Sequence, residues 1–363
     1  MKKLIGVVLF IFFINLAKVN AISASSYIVM DLDSGRVVSG SNYNEPKLIA
    51  SITKIMTSYV AIKYGDLEKL VTVDEDVLKA YGSAIYIEVG EELTLKELLY
   101  GLMLRSGNDA AIEIANAVAG SMENFVYLMN EEASRIGMKN TNFVNNHGLE
   151  ENDGSANKSS AYDMALITKE AYQLAKFREI FGTKEKTVKT NYKTYRWISK
   201  NKLIHKYDFI TGGKTGYTEK ARRTLVTTGS KDNINLVVVT INDGNDFQDH
   251  IDLYNKYFNE YHSEFVLKKD EFDLTDDKYY KNYKLYIKND YRVSLKNDNK
   301  DKVEIKYNLN KDDNFIDNAI VGTVDVYLNK EKIHEEQIYA KKITNNSKEK
   351  VRLIDKIKGW FSW

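Results

Sequence analysis

Strand patterns lie at both ends of the segment from residue 27 to residue 241, and helical patterns fill the interval between them. One pair of strand-like runs, residues 27–31 and 36–39, flanks an Asp-Ser-Gly turn sequence, and a second pair covers residues 223–228 and 235–241. From residue 51 to about residue 181, apolar side chains recur with the period of a helix. This order predicts one antiparallel sheet assembled from both ends of the domain around a helical insert, an α+β fold rather than a parallel βαβ array.

Helices are predicted at four places in the first 261 residues. One opens at Ser51, because an apolar stripe with helical spacing follows it; two more cover residues 94–104 and 108–118, and a last helix covers residues 249–261. The stripe after Ser51 consists of Ile52, Ile55, Met56, Tyr59 and Val60. The two middle helices are separated only by Arg105, Ser106 and Gly107, which predicts a tight turn there.

Beyond about residue 265 the chain changes to short runs that alternate approximately with period two. These runs cover residues 283–288, 303–307 and 322–328 and are separated by Asn, Asp and Lys turns. They predict a small, half-exposed β-rich domain without a catalytic constellation. We therefore divide the folded chain into a domain at 25–262 and a C-terminal β-rich domain at 265–343.

The amino-acid composition excludes several types of catalytic and binding site. The chain has no cysteine, which excludes disulfides, thiol catalysis and thiolate metal sites. Its 52 basic and 51 acidic side chains leave a formal net charge of +1, so a nucleic-acid partner is not expected. The histidines are scattered without HExxH-type spacing, so the metal site of a metallo-hydrolase is not expected; they are His147, His205, His250, His262 and His334.

The two termini predict where the protein works. Lys2 and Lys3 precede a short apolar run and small residues, which is typical of a signal peptide over residues 1–21; a spanning helix needs about 20 apolar residues. Residues 347–363 form a basic amphipathic segment that ends in Trp-Phe-Ser-Trp and suits an anionic membrane surface, or else a helix docked on its own protein. The protein is therefore expected to be exported and to associate with the outer face of the cytoplasmic membrane.

The first candidate for catalysis is the pair Ser51 and Lys54 at the start of a helix. At this spacing the two side chains share one face, so a neutral amine could take the hydroxyl proton. The pattern itself is common and recurs in polar sequence at Ser155, Ser199 and Ser347. Ser51 differs because it opens an apolar helix, in which burial would lower the pKa of its lysine.

Two further short motifs follow in the chain. Ser106 and Asn108, at the predicted turn, could offer a proton relay and an amide donor, although an ordinary helix cap reads the same way. In the run from Gly212 to Gly216, Lys214 and Thr215 could bind a carboxylate, and Gly216 would let a substrate backbone approach a strand edge; the alternative is a glycine-rich turn. A phosphate-binding P-loop is excluded, because position 208 is aspartate.

Together, in this order, the motifs resemble the triple known from serine β-lactamases and penicillin-binding proteins. Longer blocks resemble the low-molecular-mass penicillin-binding proteins of the D-Ala-D-Ala carboxypeptidase family, and residues 318–322 more loosely resemble that family's C-terminal domain. The blocks are Leu48–Thr57, Leu98–Ala111, Asn145–Leu149, Ala161–Ala165 and Thr211–Thr218. The resemblance implies a β-lactamase/transpeptidase-like fold, no cofactor, and peptidoglycan stem peptides and β-lactams as ligands.

The resemblance also implies an acyl-enzyme mechanism that removes the terminal D-alanine. Ser51 would attack the carbonyl between the two D-alanines, with Lys54 as its base. Ser106 and Lys214 would relay a proton to the departing D-alanine, and Asn108 would hold the substrate amide. These five residues are the expected catalytic set.

The expected substrate-binding residues lie in the Lys-Thr-Gly segment. Lys214 and Thr215 would bind the terminal carboxylate, next to Gly216. The backbone N–H groups of Ser51 and Tyr217 would form an oxyanion hole, typically the largest single electrostatic contribution.

The chain departs from the family pattern in two places. Arg222 stands where relatives usually carry glycine, and residues 242–250 lack an arginine that some members use to bind the substrate carboxylate. Arg222 and Arg223 are the two candidates to replace it. Two other functions remain as alternatives: a β-lactamase, which lacks support because no Glu-x-x-Leu-Asn block exists, and an inactive wall-binding scaffold.

Overall fold

The computed structural model describes residues 22–269, 278–280, 282–311 and 315–343. The predicted signal peptide and the predicted tail at 347–363 lie outside the described residues. Within the described ranges, no helix combines the length and the apolar character needed to span a bilayer.

The helices and strands alternate in long blocks along the chain. The helices are α1 Lys54–Tyr64, α2 Leu95–Arg105, α3 Asn108–Ala119, α4 Met122–Ile136, α5 Ala161–Tyr172, α6 Ala175–Phe181, α7 Leu203–Lys206 and α8 Asp246–Glu260. The strands of the N-terminal domain are β1 Ser26–Asp31, β2 Val37–Ser41, β3 Lys47–Leu48, β4 Leu70–Thr72, β5 Glu92–Thr94, β6 Lys158–Ser159, β7 Glu185–Lys189, β8 Thr194–Ile198, β9 Ile210–Thr218, β10 Arg222–Lys231 and β11 Ile234–Ile241. The remaining strands are β12 Tyr261–Leu267, β13 Tyr283–Tyr286, β14 Tyr291–Lys296, β15 Val303–Leu309, β16 Ala319–Leu328 and β17 Glu331–Lys342.

The central sheet has five antiparallel strands in the order β2-β1-β11-β10-β9. Strand β1 pairs with β11 from Ser26 opposite Ile241 to Asp31 opposite Leu236, so the two ends of the domain meet inside the sheet. The predicted α+β fold, with a sheet built from both ends around a helical insert, is thereby confirmed. Strand β9 forms one edge of this sheet.

Both faces of the central sheet are buried. On β1, Ile28 and Met30 belong to the core shared with the helical insert, whereas Val29 belongs to a second core with α8. Because successive side chains of a strand point to opposite faces, this split places the sheet between the insert on one side and α8 on the other. The helical insert, which carries α1, α2 and α3, therefore packs directly on one face of the sheet.

The boundaries of the helices follow local capping chemistry. Helix α2 begins after Thr94, whose hydroxyl accepts from the Glu97 amide at 3.2 Å, while the Glu97 carboxylate accepts from the Thr94 amide at 2.8 Å. Helix α8 begins at Asp246, three residues before the predicted start. The hairpin β7–β8 had no counterpart in the prediction.

The C-terminal region forms a β-rich unit, as predicted. Strands β13, β17, β16 and β15 make a four-stranded antiparallel sheet, and β12 pairs with β14. The two regions contact each other through Asp31, whose buried carboxylate accepts from the backbone and hydroxyl of Ser294, and through Arg36, which donates to Asp301 at 2.7 Å. These charge-assisted bonds join the first strand of the central sheet directly to the second region.

Candidate active site

Ser51 lies on a short 3-10 helix, Ala50–Thr53, that leads directly into α1. Ala50 has a φ of 49°, a left-handed conformation that is strained for a residue with a side chain. Gly148, with a φ of 90°, packs against it: a Cβ on Gly148 would lie 2.0 Å from the Ala50 carbonyl oxygen. The chain around Ser51 is thus held in a special conformation by a loop almost 100 residues away.

Lys54 is fully buried, and its amine contacts three oxygens. Its Nζ donates to Asn108 Oδ1 at 2.7 Å and to the His147 carbonyl at 2.6 Å, and it lies 3.3 Å from Ser51 Oγ. A neutral amine has two N–H bonds and one lone pair. With both N–H bonds directed at the two carbonyl oxygens, the lone pair faces the Ser51 hydroxyl.

The environment of Lys54 favours the neutral form of its amine. Burial, followed by the nearby charges of Lys214 and Lys200, lowers the pKa of Lys54 well below its usual range, and Asp109 opposes this only in part. A buried amine with a depressed pKa is the kind of group that can act as a general base near neutral pH.

Ser106 and Asn108 are brought to the same site by the turn between α2 and α3. Ser106 ends α2 in the left-handed conformation, with a φ of 64°, which carries its side chain away from the helix surface. Asn108 begins α3; its Nδ2 donates to the Tyr81 carbonyl at 2.6 Å while its Oδ1 accepts from Lys54. The side-chain amide of Asn108 therefore has a fixed orientation. A helix-capping role alone does not explain the Ser106–Asn108 motif, because Asn108 also contacts Lys54.

Lys214 lies on β9 rather than in a glycine-rich turn. Its Nζ donates to the Thr215 carbonyl at 2.6 Å and to Ser106 Oγ at 3.1 Å. Burial, with a further contribution from the charge of Lys200, lowers the pKa of Lys214 to about 7. Ser106 thus lies beside Lys214, a lysine that exchanges protons near neutral pH, just as Ser51 lies beside Lys54.

The edge of β9 runs directly past Ser51. A Cβ on Gly216 would lie 2.9 Å from the Ser51 amide nitrogen and 2.4 Å from Thr224 Oγ1, so any larger residue would push the strand away. Tyr217, the next residue, is exposed. The close approach of Gly216 therefore places the Ser51 amide next to the edge of β9.

A cleft of about 340 Å³ opens in front of Ser51, and we call it the Ser51 cleft. Three cations, Lys200, Lys202 and Arg223, line it together with one carboxylate, Asp246. The remaining lining residues are Ser51, Ser83, Ser106, Thr215, Gly216, Tyr217 and Phe247. Its charge suits an anionic ligand.

Sequence reasoning missed two contributors to this site. Lys200 lowers the pKa of both Lys54 and Lys214, and its Nζ donates to Ser83 Oγ at 3.1 Å. His147 supplies a carbonyl to Lys54, while its own ring is buried with a pKa lowered to about 3 by burial and by Lys54. The Asn145–Leu149 block was a usable signal for His147; Lys200 lay within a Ser-x-Asn pattern that appeared uninformative.

Of the two arginine candidates, only Arg223 lines the Ser51 cleft. It donates to Asp246 at 2.6 Å, and its guanidinium lies 5.2 Å from the centre of the Phe247 ring. These first two residues of α8 therefore hold the Arg223 side chain in place. Arg222 is exposed and has a φ of 58°, which explains physically why glycine suits that position.

The described residues contain no cluster of three or more histidine or acidic side chains arranged to hold a metal ion. Two serines, each beside a lysine of lowered pKa, and a positive cleft at a strand edge are groups that can serve as a nucleophile, a base, a proton relay and an anion site. Acyl transfer to Ser51 needs each of these groups.

Comparisons with known proteins identify the family and the fold. The family model described as D-alanyl-D-alanine carboxypeptidase matches residues 14–245, and the one described as penicillin-binding protein 5, C-terminal domain, matches residues 262–345. Among solved structures, penicillin binding protein 5 from Haemophilus influenzae superposes with a TM-score of 0.71 at 25% identity, over 89% of this chain and 97% of that one. A D-alanyl-D-alanine carboxypeptidase from Mycobacterium tuberculosis gives 0.63 at 28% identity, over 66% and 92%.

The fold is therefore that of the penicillin-binding proteins. The chain belongs to the D-alanyl-D-alanine carboxypeptidase family. It is 37% identical over 222 residues to D-alanyl-D-alanine carboxypeptidase DacF of Bacillus subtilis, covering 60% of this chain and 56% of the relative. It is 35% identical over 230 residues to DacA of Escherichia coli, covering 60% and 55%. These matches span about half the length of the curated relatives.

Proposed function

We propose that this protein is a serine-type D-Ala-D-Ala carboxypeptidase that removes the terminal D-alanine from peptidoglycan stem pentapeptides. The observation that carries the proposal is the position of the buried Lys54 amine, whose Nζ lies 2.7 Å from Asn108 Oδ1, 2.6 Å from the His147 carbonyl oxygen and 3.3 Å from Ser51 Oγ. This arrangement produces a nucleophilic serine without a histidine or a metal.

In the first step, Ser51 Oγ bonds to the carbonyl carbon between the two D-alanines as Lys54 accepts the hydroxyl proton. The C–N bond then breaks, and the leaving amine receives a proton through Ser106 and Lys214, which lie 3.1 Å apart. Water next attacks the ester and gives a proton back to Lys214 through Ser106, while Lys54 returns its proton to Ser51 Oγ as the shortened peptide leaves. Asn108 holds the substrate amide during these steps.

The terminal carboxylate is bound by Thr215 and Arg223, which line the Ser51 cleft, and by Lys214, whose Nζ lies 2.6 Å from the Thr215 carbonyl oxygen. Arg223 takes the place of the arginine that residues 242–250 lack. The N–H groups of Ser51 and Tyr217 stabilise the oxyanion, which the close approach of Gly216 to the Ser51 amide supports.

The direct test is incubation of the purified protein with a wall pentapeptide and measurement of released D-alanine. A fluorescent penicillin separates the alternatives: stable labelling supports the carboxypeptidase, rapid turnover a β-lactamase, and no labelling an inactive scaffold. Absence of D-alanine release from a folded protein contradicts the proposal.

Replacement of Lys200 tests whether its positive charge lowers the pKa of Lys54 and of Lys214. Lys200→Met removes a positive charge that keeps the pKa of Lys54 and Lys214 low, so both amines bind protons more readily. Because catalysis needs neutral Lys54, we expect the acidic limb of the kcat/KM profile to move to higher pH, by about half a unit. The conservative change Lys200→Arg keeps the charge and should leave the limb in place; an unmoved limb in Lys200→Met contradicts the coupling.

The proposed location is extracytoplasmic, after export by the signal peptide at 1–21, with the tail at 347–363 bound to the membrane surface. Deletion of residues 347–363 is expected to release a soluble, active enzyme, because the tail's affinity comes from a few cations and interfacial aromatic residues. Sedimentation with membranes, measured beside the full-length chain, is the readout. A truncated protein that still sediments contradicts the role of the tail.

A further inference from the structure

A second cleft, of about 520 Å³, lies beyond the end of β9, and we call it the lysine cleft. Its charged lining residues are Lys47, Lys158, Lys220 and Glu150. Its other lining residues come from the ends of the central strands, from β3 and the residue before it, and from the loop before β6: Ser25, Pro46, Leu48, Gly154, Ala156, Ala221, Ile241 and Asn242. With three cations against one carboxylate, the lining favours a negatively charged ligand.

The lysine cleft is connected to the Ser51 cleft through two segments. Lys220 and Ala221 belong to the turn that follows β9, and the Ala221 amide donates to Thr218 Oγ1, on the last residue of that strand, at 3.0 Å. On the opposite side, Glu150 follows the loop whose Gly148 packs against Ala50. An ion pair between Lys220 and Glu150 joins the two segments.

The direction of the bound peptide leads toward this cleft. With the terminal carboxylate at Lys214 and Thr215 and the scissile carbonyl beside Gly216, a peptide along the edge of β9 runs antiparallel to the strand. Its upstream residues must then pass Thr218 and reach the turn at Lys220. At about 3.3 Å per residue, a position two or three residues before the scissile bond lies about 7–10 Å along this path.

The cations of the lysine cleft differ in their partners. Lys47 pairs with Glu45 at 2.9 Å and Lys220 pairs with Glu150. Lys158, exposed on β6, has no ion-pair partner among the residues that the structure describes. It therefore leaves one positive charge for a ligand, and Lys220 can exchange its intramolecular carboxylate for that of a ligand.

We propose that the lysine cleft binds a carboxylate on the acyl side of the substrate peptide, two or three residues upstream of the scissile bond, through Lys158 and Lys220. This inference rests on the proposed function, since that function fixes the direction of the peptide. It makes the enzyme selective for stem peptides in which this carboxylate is free rather than amidated.

The test uses two synthetic peptides that end in D-Ala-D-Ala and differ only in one upstream side chain, a free carboxylate or its carboxamide. We expect kcat/KM for D-alanine release to be about fivefold higher with the carboxylate, a size typical of one partly exposed ion pair. The preference should decrease as salt increases. In Lys158→Gln and in Lys220→Gln the ratio of the two rates should fall toward one, whereas Lys231→Gln, a matched control on the β10–β11 turn, should keep it.

The outcomes separate the two claims. Equal kcat/KM for the two peptides in the unaltered enzyme overturns the lysine cleft but leaves the carboxypeptidase intact. A preference that survives in both lysine variants overturns the assignment to Lys158 and Lys220. Failure to release D-alanine from either peptide overturns the proposed function and this inference with it.

Discussion

Ser51→Ala is expected to abolish D-alanine release and covalent penicillin labelling together. In the proposed mechanism both reactions pass through an ester to Ser51 Oγ, the hydroxyl that lies 3.3 Å from Lys54 Nζ. The loss of kcat should be about 10⁴-fold or more, as for removal of an activated nucleophile elsewhere. The measurements are intact-protein mass after penicillin treatment and release of D-alanine from a pentapeptide.

Two serines with the same Ser-x-x-Lys spacing provide matched controls. Ser155 lies in the exposed loop before β6, and Ser199 follows β8, where its hydroxyl accepts from the Asn201 amide at 3.3 Å. Neither lines the Ser51 cleft. Ser155→Ala and Ser199→Ala should therefore label normally, and labelling of Ser51→Ala above background would refute the assignment of the nucleophile.

The penicillin adduct on Ser51 is expected to persist far longer than the acyl-enzyme formed from peptide. In peptide hydrolysis the cleaved D-alanine diffuses away and leaves room for water. In a β-lactam the leaving amine stays attached through the ring skeleton and obstructs that approach. A barrier difference of about 4 kcal/mol would make deacylation about a thousandfold slower.

The charges of the Ser51 cleft support this expectation. Asp246 is the one carboxylate among the described residues that line the cleft, and it is paired with Arg223 at 2.6 Å. Its Oδ1 accepts from both the Arg223 guanidinium and the Phe247 amide, so this carboxylate is engaged in holding the arginine. The readout is the adduct mass over time after excess drug is removed; complete loss within seconds would restore the β-lactamase alternative.

Sequence periodicity predicted the elements that local chemistry determines. The helices on either side of Ser106 were predicted to within a residue at each end, because their apolar spacing and the Gly107 turn are local properties. The pairing of Ser51 with Lys54 was also accessible, since three residues along a helical turn bring side chains to one face. The order of strands, helices and strands along the chain was sufficient to predict the antiparallel sheet of an α+β fold.

The rest depended on contacts between residues far apart in the chain. The His147 carbonyl reaches Lys54 across 93 residues, and no spacing rule predicts such a contact. Lys200 acts through charge alone and follows a strand in a hairpin that the pattern did not reveal. The Lys-Thr-Gly segment could be read as a turn because three glycines in seven residues weaken a strand pattern; pairing with β10 decides its conformation.

The pairing of Ser26 with Ile241 has a consequence for biosynthesis. The first strand of the domain lacks its partner until more than 200 further residues have been made, so the sheet cannot close before β11 has been synthesised. Such non-local closure slows folding and leaves apolar strands such as β1 unprotected in the meantime. A ribosome-stalled or proteolysed fragment that ends before β11 should therefore remain unfolded and depend on chaperones.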